Sequence, residues 1–226
     1  NYIGIDFSIA SPAYCIIEGD DVSKWGTLYR GDRSPESLKK NSSKPYHILL
    51  EDNSDLFNGL FIIKDQLPDE YSERERIKIN YFLDIVDTFW DSIIAEMNGR
   101  KFKVAMEGLS FSSNGNSLID ISMATALLRE RIIDRVGVEN FFVYSPTSVK
   151  KFAIKGNAKK DQLYRTLKER ESSETNLSRL SNILRDNESE WITPKGNVNK
   201  PVDDIVDSTW IALFLKEQEE ITNKKL

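Results

Sequence analysis

Acidic side chains at a few positions are the part of this sequence that asks for chemistry. In the stretch Lys200-Pro201-Val202-Asp203-Asp204-Ile205-Val206-Asp207-Ser208-Thr209-Trp210, continuing through Ile211-Ala212-Leu213-Phe214, apolar residues recur at helical spacing and Pro201 suits a first helical turn. Asp207 then falls between Trp210, Ile211 and Phe214, on the face that should press against the core. An ionised carboxylate there is expensive unless something positive compensates it. Asp204 lies one turn earlier, so two carboxylates can close on one object, and a divalent cation is the economical choice. Taken alone, the stretch also fits a plainer reading, in which Asp203 and Asp204 cap a helix and favour its dipole while Asp207 bonds a nearby lysine.

Two more acids stand at strand ends. Tyr2-Ile3-Gly4-Ile5-Asp6 alternates, with Ile3 and Ile5 on one face and Gly4 and Asp6 on the other, and the buried strand from Phe102 to Met106 stops at Glu107-Gly108. If these strands lie side by side under the last helix, Asp6, Glu107, Asp204 and Asp207 converge. Four carboxylates cannot share a small volume without cations, because like charges push their pKa values up. Oxygen-only ligation suits Mg²⁺ or Mn²⁺, and with one histidine and one cysteine in the chain a typical zinc site is excluded. Two such ions about 4 Å apart activate a water and stabilise the leaving oxygen of a phosphodiester, which is the chemistry of a nuclease.

The elements that must position these acids follow from patterning. Ala13 to Glu18 reads as a second strand, Gly19-Asp20-Asp21 as a turn and Lys24 to Arg30 as a third strand, an opening antiparallel meander. Residues 31 to about 70 form an insertion with some structure of its own around the apolar runs Ile48 to Leu50 and Leu60 to Ile63. His47, the only histidine, lies within it and is read as structural. Helical periodicity spans Ser72 to Asn98 and Ser117 to Val136, with a strand from Phe141 to Tyr144 to follow. Helices are then expected after Ser145-Pro146, from Lys159, and between residues 175 and 186. The predicted fold is α/β, a mixed five-stranded sheet with an antiparallel meander followed by parallel strands, flanked by helices.

A chain of 226 residues suits one domain over 1–226, with insertions at about 31–70 and, helical, at about 171–198. Net charge is -5, from 31 basic and 36 acidic residues, so any polyanion-binding surface must be a local patch. Cys15 sits in an apolar run, which suits a reducing intracellular compartment and excludes a disulfide framework. No run approaches membrane-spanning length and no signal peptide is visible; the chain opens directly on a strand, so its natural start is expected to lie upstream.

Five short motifs, in order, resemble a known family. Tyr-Ile-Gly-Ile-Asp at 2–6, Val-Ala-Met-Glu at 104–107, Tyr-Ser-Pro-Thr-Ser-Val-Lys at 144–150, Gly-Asn-Ala-Lys-Lys-Asp-Gln at 156–162 and Asp-Asp-Ile-Val-Asp-Ser at 203–208 look like a RuvC-type Holliday junction resolvase. The resemblance implies the RNase H-like fold, with Asp6, Glu107, Asp204 and Asp207 as catalytic acids binding two Mg²⁺ ions. It selects Asp204 over Asp203, a choice helical geometry does not make. It also implies a homodimer that cuts four-way junction DNA symmetrically. Phe111 comes four residues after Glu107, where the family places an aromatic three residues after its second acid. With the insertion and the acidic balance, that departure suits a viral or organellar branch whose substrates extend to flaps or forks.

The DNA surface is expected between Thr147 and Arg170, which carries eight basic and two acidic residues. Lys150, Lys151, Lys155, Lys159 and Lys160 are the candidate phosphate contacts, and the resemblance places DNA-contacting lysines at Lys150 and Lys160. Gly156 between them would let backbone amides approach a phosphate. Arg165, Lys168 and Arg170 read instead as a solvated helix face. Two other classes share parts of the pattern. Actin-like ATPases share the first-strand signature but want glycine where Ser8 stands, and need a second lobe for which there is no length. A non-catalytic junction-binding module can keep the fold after losing its acids, yet all four are present here.

Overall fold

The computed structural model describes residues 1–31, 48–49, 52–63, 68–109, 115–170 and 175–225. Six strands form one sheet in the order β4-β3-β2-β1-β5-β6. They are β1 (Tyr2–Asp6), β2 (Ala13–Glu18), β3 (Asp21–Gly31), β4 (Phe57–Ile63), β5 (Lys103–Glu107) and β6 (Phe141–Tyr144). β1, β2 and β3 run antiparallel to one another, whereas β5 is parallel to β1 and β6 to β5. Antiparallel then parallel strands, flanked by helices, make the mixed α/β sheet expected from the sequence.

The sheet has one strand more than expected. β4, which contains the apolar run Leu60 to Ile63, pairs parallel to β3 from Trp25↔Phe57 to Gly31↔Ile63 and extends the meander edge. β3 also starts earlier than expected, because Gly19, at φ 61, turns the chain tightly enough for Glu18 to pair with Asp21. His47 lies outside the described residues, and so does Phe111.

Helices cover both faces. On one lie α1 (Tyr71–Met97) and α2 (Gly115–Val136), whose Val86, Phe89, Ile93, Leu128 and Ile132 pack on Ile3, Ile5, Tyr14 and Ile16 of the sheet. The Glu70 side chain accepts hydrogen bonds from the Ser72 and Glu73 amides to start α1, and Asn98, at φ 45, ends it in the left-handed conformation. On the other face lie α3 (Pro146–Ala153), α4 (Lys160–Lys168), α5 (Thr175–Asp186), the short α6 (Glu188–Trp191) and the long α7 (Val202–Asn223). α3 has Pro146 in its first turn and the Ser145 hydroxyl as its cap. α5 and α6 are tied in by Trp191, whose indole N–H donates to the Tyr164 hydroxyl at 3.0 Å.

α7 is the element on which the second face is built. Val202, Ile205, Val206, Trp210, Ile211 and Leu213 join Cys15, Trp25 and Ala105 in one apolar core. Trp25 donates its indole N–H to the Thr209 hydroxyl at 2.9 Å, pinning the helix to β3. Directly under α7 the sheet presents Gly4, where a Cβ would collide with the backbone of Ser208 and Ala212. The helix therefore sits on bare main chain. Pro201 is its N-cap rather than a residue of its first turn, and no side chain caps it.

Candidate functional site

Asp6 and Glu107 end two adjacent parallel strands whose register runs from Tyr2↔Lys103 to Ile5↔Met106, so the next position brings the two acids side by side. α7, held close over β1, delivers Asp203, Asp204 and Asp207 from its first two turns. Asp204 is 2% exposed and Asp203 8% exposed, which rules out a merely solvated acidic helix start. With no side-chain cap on α7, the capping role of Asp203 and Asp204 does not hold either. The other half of the plainer reading does: Asp207 meets a lysine.

That lysine is Lys160, and its place differs from the expected one. Its Nζ lies 2.8 Å from Asp203 Oδ2, 3.2 Å from Asp207 Oδ2 and 3.9 Å from Asp204 Oδ1, so it bridges the acids instead of facing outward as a free phosphate ligand. The reason is local. Lys160 opens α4 directly opposite the first turns of α7, where the nearest anions are carboxylates of the same chain. Lys200 makes a second approach, its Nζ 2.7 and 2.6 Å from the two oxygens of Asp204. Ser11 Oγ donates to Asp204 Oδ2 at 2.5 Å, while Asp203 Oδ1 is buried with no hydrogen-bond partner.

These contacts do not balance the charge. Burial, then Asp204 and Asp207, push the Asp6 carboxyl well above the usual carboxylate range. Burial and Asp207 push Glu107 up to about 7, against the pull of Lys150 and Lys160. Asp207 is pushed up to about 6 by burial, with Lys160 opposing. Asp204 is raised by burial and by Asp203, although Lys200 and Ser11 pull it down. Burial by itself would lower the Lys160 ammonium; Asp207, Asp203 and Asp6 outweigh it and hold it above its ordinary value. The acids lack positive charge and the lysine has more negative charge than it needs.

Oxygen-only donors, acids short of positive charge and an orphaned buried oxygen fit a hard divalent cation. Among the described residues no three acids close on one point to hold an ion, and the Lys160 ammonium lies among Asp203, Asp204 and Asp207. Beside Asp6 and Glu107 opens a cavity of about 160 Å³, walled by Phe7, Leu109, Leu118 and Ile121 and by Thr125.

The remaining basic residues divide. Lys150 is half-buried and close enough to Glu107 to act on its charge, while Lys151, Lys155 and Lys159 are exposed. Gly156 packs against the Thr147 methyl, which an added Cβ would meet at 2.8 Å, so this glycine serves the turn's packing on α3. Arg165 is exposed as expected, but Lys168 pairs with Glu188 at 2.8 Å and Arg170 lies over the Trp210 ring, so neither is merely solvated. Sequence reasoning missed Lys200 and Ser11. Lys200 had a signal, standing four residues before Asp204; Ser11, 193 residues away in sequence, had none.

An α/β sheet with acids gathered at the ends of two adjacent parallel strands is therefore the class of molecule in hand. No protein-family model matches the chain, and no curated protein matches it. Among solved structures, Thermus thermophilus RuvC is similar over 96% of this chain and 96% of that chain, at 13% identity and a TM-score of 0.44. The chemistry of the site rests on its own residues. Among the described residues no helix is long and apolar enough to cross a membrane.

Proposed function

We propose that this protein is a divalent-metal-dependent endonuclease of branched DNA, cutting four-way junctions symmetrically as a homodimer. The observation that supports the reading is the gathering of Asp6, Glu107, Asp204 and Asp207 from two strand ends and one helix, each with its carboxyl held above the usual range. These four would hold the metal. When bound, a pair of Mg²⁺ or Mn²⁺ ions supplies Lewis acidity to a phosphodiester and to the attacking water. The chain does the positioning. Asp6 and Glu107 are fixed by the ladder between β1 and β5, and Asp204 is oriented by the Ser11 hydroxyl. Lys150, close to Glu107, with exposed Lys151, Lys155 and Lys159 following it in the chain, offers a track for DNA phosphates. Phe111 would work at the open centre of the junction.

The test is cleavage of a four-way junction beside a fork, a flap, an RNA–DNA hybrid and a linear duplex. Mg²⁺ and Mn²⁺ are expected to support cutting of the junction. Ca²⁺ should support binding without cutting, since its larger and looser oxygen shell disturbs in-line geometry. Equal turnover in EDTA overturns the metal-dependent reading. Preferred cutting of flaps or forks would assign the broader structure-selective activity instead. A second reading, a non-catalytic junction-binding module, is favoured by one observation: Lys160 and Lys200 already supply cations to the acids. Tight junction binding with no cleavage in Mg²⁺ or Mn²⁺ would establish it.

A further inference from the structure

Lys160 sits where two different needs compete for one charge. Its ammonium contacts Asp203 and Asp207 and approaches Asp204, yet 52% of its side chain is exposed. Lysine's compact charge rides on a flexible four-carbon stem, and three donors can be satisfied by carboxylates or by phosphate. Asp203 matters here because the proposed ligand set does not use it, although it is the closest of the three acids to Lys160. It gives the lysine a buried anchor beside the site that belongs to neither metal nor DNA.

We infer that Lys160 is a resident counter-ion that alternates between the acid cluster and a DNA phosphate, so that metal entry releases it and makes the protein a better DNA binder. The inference rests on the metal-dependent reading. Without metal, Lys160 holds Asp207 and Asp204 and is withheld from DNA. A divalent cation carries twice its charge and takes those carboxylates; the lysine, kept close by Asp203, then turns to the backbone of the substrate. Metal and DNA thus favour each other through one side chain, and reciprocity requires that DNA tighten metal binding by the same factor.

Three measurements test this on the whole protein. By calorimetry without DNA at about pH 8.5, chosen to keep carboxyl protons from competing, Lys160→Gln is expected to bind Mn²⁺ roughly three- to tenfold more tightly than wild type, a modest factor because the lysine is half-exposed. Lys160→Arg keeps the charge and should stay close to wild type. On unmutated protein, Mg²⁺ should raise acetylation of Lys160 several-fold, read by mass spectrometry, while Lys168, paired with Glu188, stays constant. In junction binding, replacing EDTA by Ca²⁺ should steepen the slope of log affinity against log salt by about 0.9 in wild type and not in Lys160→Gln. Equal Mn²⁺ affinity in wild type and Lys160→Gln, or unchanged acetylation, overturns the inference while leaving the metal reading intact. If neither protein binds Mn²⁺, the metal reading falls and takes the inference with it.

Discussion

The two ends of the adjacent strands β1 and β5 carry opposite charge. Where β1 and β5 begin, a cavity of about 620 Å³ is lined by Arg100, Lys101, Lys103 and Arg135; where they end, the neighbouring cavity is about 160 Å³ and the residues are acidic. At the basic end two of the four charges are matched singly: Arg100 meets Glu18 at 2.5 Å, and Lys103 meets Glu219 while lying over the Phe142 ring. Such half-exposed pairs contribute at most about 1 kcal/mol each. At the acidic end Asp203, Asp204 and Asp207 share two lysines, Asp6 and Glu107 press on the same volume, and one buried oxygen has no partner. At the larger cavity Lys101 and Arg135 are exposed, where water solvates their charge. The smaller one stands beside unmet charge, and unmet buried charge marks a site better than volume does.

The contrast is broken most severely at the acids. Asp6→Asn or Asp207→Asn is expected to reduce junction cleavage by about a thousandfold or more, as loss of a metal ligand does, while junction affinity in Ca²⁺ stays within a few-fold of wild type. Near-normal single-turnover cleavage in either variant would remove these acids from the chemistry.

A smaller effect should appear in stability against pH. Burial, with Asp207 second, pushes Glu107 up to about 7, and burial pushes Asp207 up to about 6, so the folded chain keeps protons that the unfolded chain has released. The stability these groups contribute is full below the ordinary carboxylate range, near about pH 4. It is lost as pH rises through 6 to 7. Metal-free protein should therefore lose several degrees of melting temperature between about pH 5 and pH 8, and Glu107→Gln should flatten that profile by a few degrees. An unchanged profile in the variant would mean that Glu107 is not held above its usual range.

The smallest effects sharpen the comparison between the ends. Lys150→Ala should weaken junction binding at low salt and reduce the log–log salt slope by about one unit. Arg100→Ala should change neither cleavage nor slope and destabilise the fold by less than about 1 kcal/mol. Equal losses in the two variants, by filter binding across a salt series, would put DNA on the basic end instead.

Sequence pattern carried the elements further than it carried the contacts. β1, β2, β6 and α5 fall where alternation and helical periodicity place them, because each is a local repeat bounded by turn or cap residues. The strand-end positions of Asp6 and Glu107 were legible for the same reason. β4 was not, since a run such as Leu60 to Ile63 becomes a strand only by pairing with β3, and no local signal names the partner. The direction of Lys160 was hidden for a related cause. A lysine opening a helix looks solvent-bound until the fold sets three carboxylates before it. Gly156 has a packing role the sequence did not show, since the turn closes back on Thr147 of α3 where an added Cβ would collide.

Gly4 gives the acidic end its dimensional tolerance. Because α7 rests on main chain there, the height of the helix over the sheet is set by backbone atoms, which are the same whatever side chains surround them. Side chains further along α7 can change shape as a bearing wears, and the datum from which Asp204 and Asp207 are measured stays put. The gap between strand-end and helix carboxylates is thus gauged by the one residue in the contact that has no side chain to vary.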